Sequence, residues 1–191
     1  FEISIEVNSP NLVRKKTFSG ILTSAFSDNG KIGTISLLNS NVDTLVVNGA
    51  GSPTSSQIQA KVLDAFGLPS SNVPVNFQFT KNVDGGEYFS QSVVLTDNNG
   101  IASTTVTTGI RSGFLQIVAK VKKDTLSISS AEKFIYVKTG AVSSLNIINV
   151  STTNLSVKGG GAENATVVLE ARDSLGNPID FSNQVSINFT I

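Results

Sequence analysis

Asp97-Asn98-Asn99-Gly100 is a dense run of side-chain oxygens, and Asp84 and Glu87 lie shortly before it. Carboxylates and amide carbonyls ligate hard cations, so Asp84, Asp97 and Asn99 are candidate Ca2+ ligands. The run lacks the alternating Asp spacing and the closing Glu of a calcium loop, and the same residue types build tight turns. Turn formation is therefore the preferred reading, and no other cofactor is expected. Asp43 and Asp173, near repeat junctions, are further candidates for Ca2+ held between domains. Gly159-Gly160-Gly161 has the freedom of a phosphate-cradling loop. No Lys-Ser or Lys-Thr follows it and no helix starts there, so it reads as a flexible loop. Asn149, Asn154, Asn164 and Asn188 open glycosylation sequons that a chain rich in Asn, Ser and Thr produces by chance. Asn188 is expected to be the least available, in a strand over residues 185–191. Tyr88 and Phe89, beside Gly85-Gly86, could contact a glycan or a protein; a hydrophobic plug at the end of a sandwich is the preferred reading.

Catalysis has little to work with. The 191 residues include no His, Cys, Met or Trp. The usual general base at neutral pH is missing, as are the thiolate nucleophile and the common zinc and haem ligands. No Ser or Thr has an evident Lys partner, so no catalytic residue is assigned and an enzyme is not expected. Fourteen basic residues balance fourteen acidic ones, which gives no electrostatic reason to expect nucleic acid or an anionic membrane as partner. Arg14-Lys15-Lys16 and Lys120, Lys122 and Lys123 read as solvated charges. No apolar run approaches the roughly 20 residues that span a bilayer. No leader peptide is visible, so an export signal is expected upstream of Phe1 or already removed. A chain without Cys cannot use disulfides, which fits a bacterial surface better than a secreted eukaryotic domain.

The elements that carry these residues read as strands. Phe1–Val7 and Val73–Phe79 alternate apolar and polar residues, the period of a half-buried strand. Shorter candidates are Leu45–Asn48, Ile58–Asp64, Ser92–Thr96, Ala102–Thr107, Phe114–Val121, Phe134–Lys138, Leu145–Ile148 and Thr166–Ala171. Gly, Pro, Asn and Asp cluster between them, and no helix is expected. Phe77, Phe79, Phe114, Ile117 and Val62 are expected to meet in a core between two sheets. Asp97-Asn98-Asn99-Gly100 suits a hairpin, and Gly85-Gly86 a sharp reversal or a close approach of backbones.

The chain repeats itself at about 100 to 110 residues, the size of one sandwich domain. Thr44–Asn48 reads like Ser144–Asn149. Val62–Pro69 reads like Ala171–Pro178, and Val75–Phe79 like Val185–Phe189. Phe1–Val7 reads like Phe114–Val121, and Lys31–Leu37 like the final strand Phe134–Val137. The expected organisation is therefore all-β and tandem. Residues 1–42 are the last strands of a preceding repeat, residues 43–140 a complete repeat, and residues 141–191 the first strands of a following one. Short linkers are expected near Asn41–Asp43 and Gly140–Ser143.

The complete repeat resembles the bacterial immunoglobulin-like domains of the invasin and intimin group. The resemblance is carried in order by Val62-Leu63-Asp64-Ala65-Phe66-Gly67-Leu68-Pro69, Val73-Pro74-Val75-Asn76-Phe77, Gly85-Gly86, Thr96-Asp97-Asn98-Asn99-Gly100-Ile101-Ala102 and Gly113-Phe114. It departs at Ile179-Asp180-Phe181 and in the longer segment Asn8–Gly30. The resemblance implies an extracellular or cell-surface spacer or stalk of an adhesin, with no catalytic residues. Its implied partners are neighbouring repeats or copies of itself, and other surface proteins or glycans. Two alternatives stand beside it: a filament subunit assembled by strand completion between copies, and a glycan- or receptor-binding module.

Overall fold

A computed structural model describes residues 2–9, 12–19, 31–40, 42–123, 126–180 and 185–188. They form fourteen strands, with no helix among the described residues. The strands are β1 (Glu2–Ser9), β2 (Leu12–Ser19), β3 (Ile32–Leu37), β4 (Thr44–Val46), β5 (Ser55–Asp64), β6 (Pro74–Lys81) and β7 (Tyr88–Phe89), then β8 (Val93–Leu95), β9 (Ile101–Thr107), β10 (Gly113–Lys123), β11 (Leu126–Ser129), β12 (Lys133–Lys138), β13 (Val142–Val150) and β14 (Val167–Asp173).

The chain divides into two compact units, Phe1–Lys31 and Ile32–Ile191. In the first, β1 and β2 form an antiparallel hairpin closed between Ser9 and Leu12. The hairpin β10–β11 closes in the same way between Lys123 and Leu126.

The second unit holds an immunoglobulin-like sandwich. One sheet has the order β3-β5-β9-β7; the other runs β4-β12-β10-β6-β8, with β11 added to β10. The period of two decides the core. On β5, Ser56, Ile58, Ala60 and Val62 are buried, and on β10, Leu115, Ile117, Ala119 and Val121 face them. Phe77 and Ile135 complete the centre. Fully burying one such large apolar side chain contributes about 1.5–3 kcal/mol, which stands in for disulfides here. Phe79 packs against this cluster from a partly buried position. Phe114 differs from expectation. It is about half exposed and lies 4.8 Å from the Tyr136 ring, because Leu115 and Ile117 take the inward positions of β10 and leave Phe114 on the outer face.

The pairing registers revise the phase of the repeat. Instead of closing a preceding repeat, as its sequence suggests, β3 is an edge strand of this sandwich, pairing Ile32 with Asp64, Thr34 with Leu63 and Ile35 with Val62. β13 pairs with β14 in the same register, Val142 with Asp173, Ser144 with Arg172 and Leu145 with Ala171, and an irregularity falls at the same step. The counterpart of Ser144-Leu145 is thus Thr34-Ile35, not Thr44-Leu45. The counterpart of β4 and the turn after it is Asn154–Gly161. Ala50 N–H donates to Val47 O and Gly160 N–H to Val157 O, and Gly49 and Gly159 have φ of 93° and 85°. Gly159-Gly160-Gly161 is therefore a structural turn. Leu45 and Val47 are fully buried, whereas Leu155 and Val157 are exposed. The linker expected near Asn41–Asp43 falls between β3 and β4, which lie in the two sheets of one sandwich.

Two further expectations change. Asp97–Gly100 does not close a hairpin, since β8 and β9 lie in different sheets. Val185–Asn188 forms no strand, and Asn188 is exposed like Asn149, Asn154 and Asn164; residues 189–191 lie outside the described residues.

The sandwich is threaded end to end. The chain enters at Ile32, beside Asp64, and leaves β12 at Lys138, whose carbonyl accepts from Val47 N–H at the opposite end of β5. The ten-residue β5 runs the full length between these ends.

Candidate functional site at the repeat junction

Three turns in this chain are built alike. Asp64, Asp97 and Asp173 each accept, on Oδ1, the N–H groups two and four residues on: Phe66 and Leu68, Asn99 and Ile101, Leu175 and Asn177, at 2.8–2.9 Å. Each turn needs a left-handed residue at its fourth position, where glycine is favoured. Gly67, Gly100 and Gly176 stand there, with φ of 81°, 72° and 85°.

At Asp97 this geometry occupies one of the two carboxylate oxygens. The Ile101 amide first, and the Asn99 amide and side chain, outweigh desolvation and hold the Asp97 carboxyl below its ordinary value. Asp84 does not join it. Gly85 O accepts from Ile110 N–H at the exit end of the sandwich, whereas Gly100 O accepts from Val62 N–H at the entry end. The whole of the eight-residue β6 runs between the two places, so Asp84 and Asp97 cannot share one ion. Glu87 spends its carboxylate on the N–H groups of Val83, Asp84 and Gly85. No cluster of three His, Cys, Asp or Glu side chains occurs among the described residues. Tyr88 is exposed, and Phe89 stacks on Phe79 at 4.3 Å, filling the end of the core.

The Asp173 turn does more than close on itself. Its second oxygen, Oδ2, accepts from Gly140 N–H at 3.1 Å and from Asn177 Nδ2 at 3.0 Å. Gly140 lies between β12 and β13, so this carboxylate ties the β13–β14 segment to the end of the sandwich. Asn177 extends the tie. Its Nδ2 donates to Ile110 O at 2.9 Å, and its Oδ1 accepts from Ser112 N–H at 3.3 Å. Asp180 adds a third strap, accepting from Tyr136 Oη–H and, at 3.3 Å, from Thr139 N–H. Arg172 braces the turn through Gly176 O at 2.8 Å and an ion pair with Glu170.

The straps are dry. Asp173 is 2% exposed and Asn177 8%. Burial pushes the Asp173 carboxyl up, but the Asn177 side chain and the Asn177, Gly140 and Leu175 amides outweigh it and leave the group below its ordinary value. It is held as a carboxylate by N–H donors, the arrangement that stabilises a buried charge. The surrounding backbone is shaped for close contact. A Cβ on Gly140 would lie 2.5 Å from the Ala50 side chain, and one on Gly109 only 1.9 Å from Gly85 O.

The other junction candidate, Asp43, is held by near neighbours of its own. Asp43 lies on the flank of the sandwich, where the Ser40 hydroxyl first and Lys133, 3.0 Å away, hold its carboxyl below the usual range. Asn177, Asp180, Tyr136 and Gly140 are not among the site residues that the sequence suggests. The signal lay in comparing the two turns, since Asn177 stands where the complete repeat has Leu68.

No protein-family model and no curated protein sequence matches the chain. Solved structures do. Invasin, described as a bacterial integrin-binding protein, is 17% identical with a TM-score of 0.54 over 94% of this chain and 33% of its own. Yersinia pseudotuberculosis InvD is 17% identical with a TM-score of 0.52, over 93% of this chain and 51% of its own. The Escherichia coli adhesin FdeC is 15% identical with a TM-score of 0.50, over 94% and 52%. The chain thus spans about half the length of the InvD and FdeC structures. These likenesses establish the fold, immunoglobulin-like domains of the kind found in these adhesins.

Proposed function

We propose that this chain is a spacer segment of a bacterial cell-surface adhesin. Its sandwiches, linked end to end, hold a binding part away from the cell, and it carries no catalytic step of its own. The observation that carries this reading is the Asp173 junction. A rod of domains stays straight only if its joints resist bending, and short or flexible links otherwise leave relative motion as the default. Here the joint consists of a buried carboxylate, a buried Asn and the Asp180 strap, all bonded across it. Entry and exit at opposite ends of the sandwich supply the second requirement, since only such threading gives an extended array.

The adhesin folds of invasin, InvD and FdeC support the surface location and the adhesive context. Receptors or glycans are proposed as partners of the wider protein, and neighbouring repeats as partners of this segment. The filament built by strand completion is less well supported. The pairing equivalents place β10–β11-like strands in the first unit and β3–β5-like strands at residues 142–173. Among the described residues those two pieces show no counterparts of β7 to β9.

Single-molecule pulling tests the spacer. The sandwich between Ile32 and Thr139 is expected to open in one abrupt step that releases about 35 nm of chain. Smooth extension without a step would refute a load-carrying role.

A further inference from the structure

The outward face of β10 and its neighbours β6, β8 and β11 takes no part in the core. On β10, Leu115, Ile117, Ala119 and Val121 point into the sandwich, so Val118, Lys120 and Lys122 point out. Strand pairing places Asn76, and Val93 beyond it, on one side of Lys120 and Ser129 on the other, with Ser127 beside Lys122. This face is not flat. Val118 is 4% exposed although it stands outside the core cluster, so other side chains close over it. Gln78, its partner on β6, joins Asn76, Lys120, Lys122 and Ser127 around a cleft of about 370 Å3.

The face is also basic. β6, β8, β10 and β11 contain no Asp or Glu. The ion pairs among the described residues are Lys133–Asp43 and Arg172–Glu170, so Lys120 and Lys122 pair with no described carboxylate. Their stems leave the same side of one strand about 7 Å apart. Two like charges so close repel each other, and an anion bound between them relieves the repulsion.

We infer that this face binds an acidic polysaccharide. Lys120 and Lys122 take its carboxylate or sulfate groups, and the Asn76 and Gln78 amides and the Ser127 hydroxyl bond to its sugar hydroxyls. Val93, 55% exposed, and the Pro74 ring give the apolar faces of the sugar rings a surface to rest on. Phe114 continues the outward row of β10, and Phe134 stands opposite Gln116; at 48% and 53% exposed they extend that apolar surface for a longer chain. An acidic peptide fits less well. Extended peptides gain affinity by adding to a sheet edge, and β10 is paired on one side with β6 and on the other with β12 and β11. Only side chains are offered here, and they carry ammonium, amide and hydroxyl groups.

Titration of the intact protein with alginate, dextran sulfate and neutral dextran, followed by calorimetry and by amide shifts in NMR, tests the site. One or both of the two polyanions is expected to bind, with shifts centred on Asn76, Lys120 and Ser127, and dextran is not. Which polyanion binds tells whether carboxylate or sulfate is recognised. Lys120→Gln with Lys122→Gln should weaken binding at least about tenfold. Lys61→Gln with Lys158→Gln removes the same charge elsewhere and should leave it unchanged. No binding of either polyanion, equal loss in the two double variants, or tighter binding of poly-glutamate would overturn the inference. The spacer reading fails separately: a loose Asp173 joint sinks the spacer and leaves this site standing, and absence of polyanion binding sinks only the site.

Discussion

Replacing Asp173 with Ala removes a carboxylate that bonds on both sides of the joint. The carboxylate accepts four hydrogen bonds, from the Leu175 and Asn177 amides within the turn, from the Asn177 side chain, and from Gly140 across the junction. Asp64 accepts the matching pair within its own turn. Asp64→Ala is therefore the control for turn chemistry alone. A hydrogen bond to a charged acceptor contributes about 1.5–3 kcal/mol. At about 1.4 kcal/mol per factor of ten, loss of the Gly140 bond corresponds to about 10- to 100-fold faster amide exchange at Gly140. Residue-resolved hydrogen exchange by NMR reads this directly. Asp173→Ala should accelerate exchange at Gly140 and leave Ile58 and Ile117 in the core unchanged, while Asp64→Ala leaves Gly140 alone. The reasoning fails if Gly140 exchanges at the same rate in Asp173→Ala, or if both variants accelerate it equally.

Three further outcomes follow from the same geometry. The Asp173 carboxyl lies below its ordinary value in the folded protein, so its contribution is complete above the unfolded value of about 3.9 and disappears as pH falls through the folded one. Gly140 protection should hold from neutral pH to about 5 and be lost only in stronger acid, as followed by exchange against pH. Phe77→Ala empties the centre of the core and should destabilise the sandwich by about 3–5 kcal/mol in chemical denaturation. Gly109→Ala forces a methyl into Gly85 O, a 1.9 Å approach, and should lower the melting temperature measurably in a calorimetric scan. Alanine at Gly67 meets no neighbour within 4 Å but inherits a φ of 81°. It should cost only about 1 kcal/mol in the same scan.

The fold was legible because alternation and turn chemistry agree along the chain. β5, β6, β9 and β10 all bury the residues that period-two reading assigns to one face, and Asp64, Asp97 and Asp173 announce turns with a stated mechanism. The phase of the repeat was not legible. A period of two says which face a residue takes, and nothing about which strand lies beside it. Ile32–Leu37 fits a first strand and a last strand equally well, and Thr44-Leu45 imitates Ser144-Leu145 although its true counterpart is Asn154-Leu155. The glycines after each, Gly49 and Gly159, were the better anchors, since positive φ restricts a position more than an aliphatic side chain does. Phe114 was misplaced for a related reason: size suggested the core, but one step of register put Leu115 there. The junction was half visible. Asp173 stood out as a turn residue near a boundary, and a cation was considered for it. The partners that hold its charge are the Gly140 and Asn177 N–H groups, which no side-chain motif marks.

The central claim is that consecutive repeats are locked by the Asp173 clasp at a single angle. Spin labels on Gln57→Cys in the sandwich and Asn146→Cys in the following repeat, read by pulsed electron–electron resonance, test it most directly. One narrow distance distribution, broadened when Asp173→Ala is added, is the expected result. A distribution already broad with Asp173 in place would contradict the account.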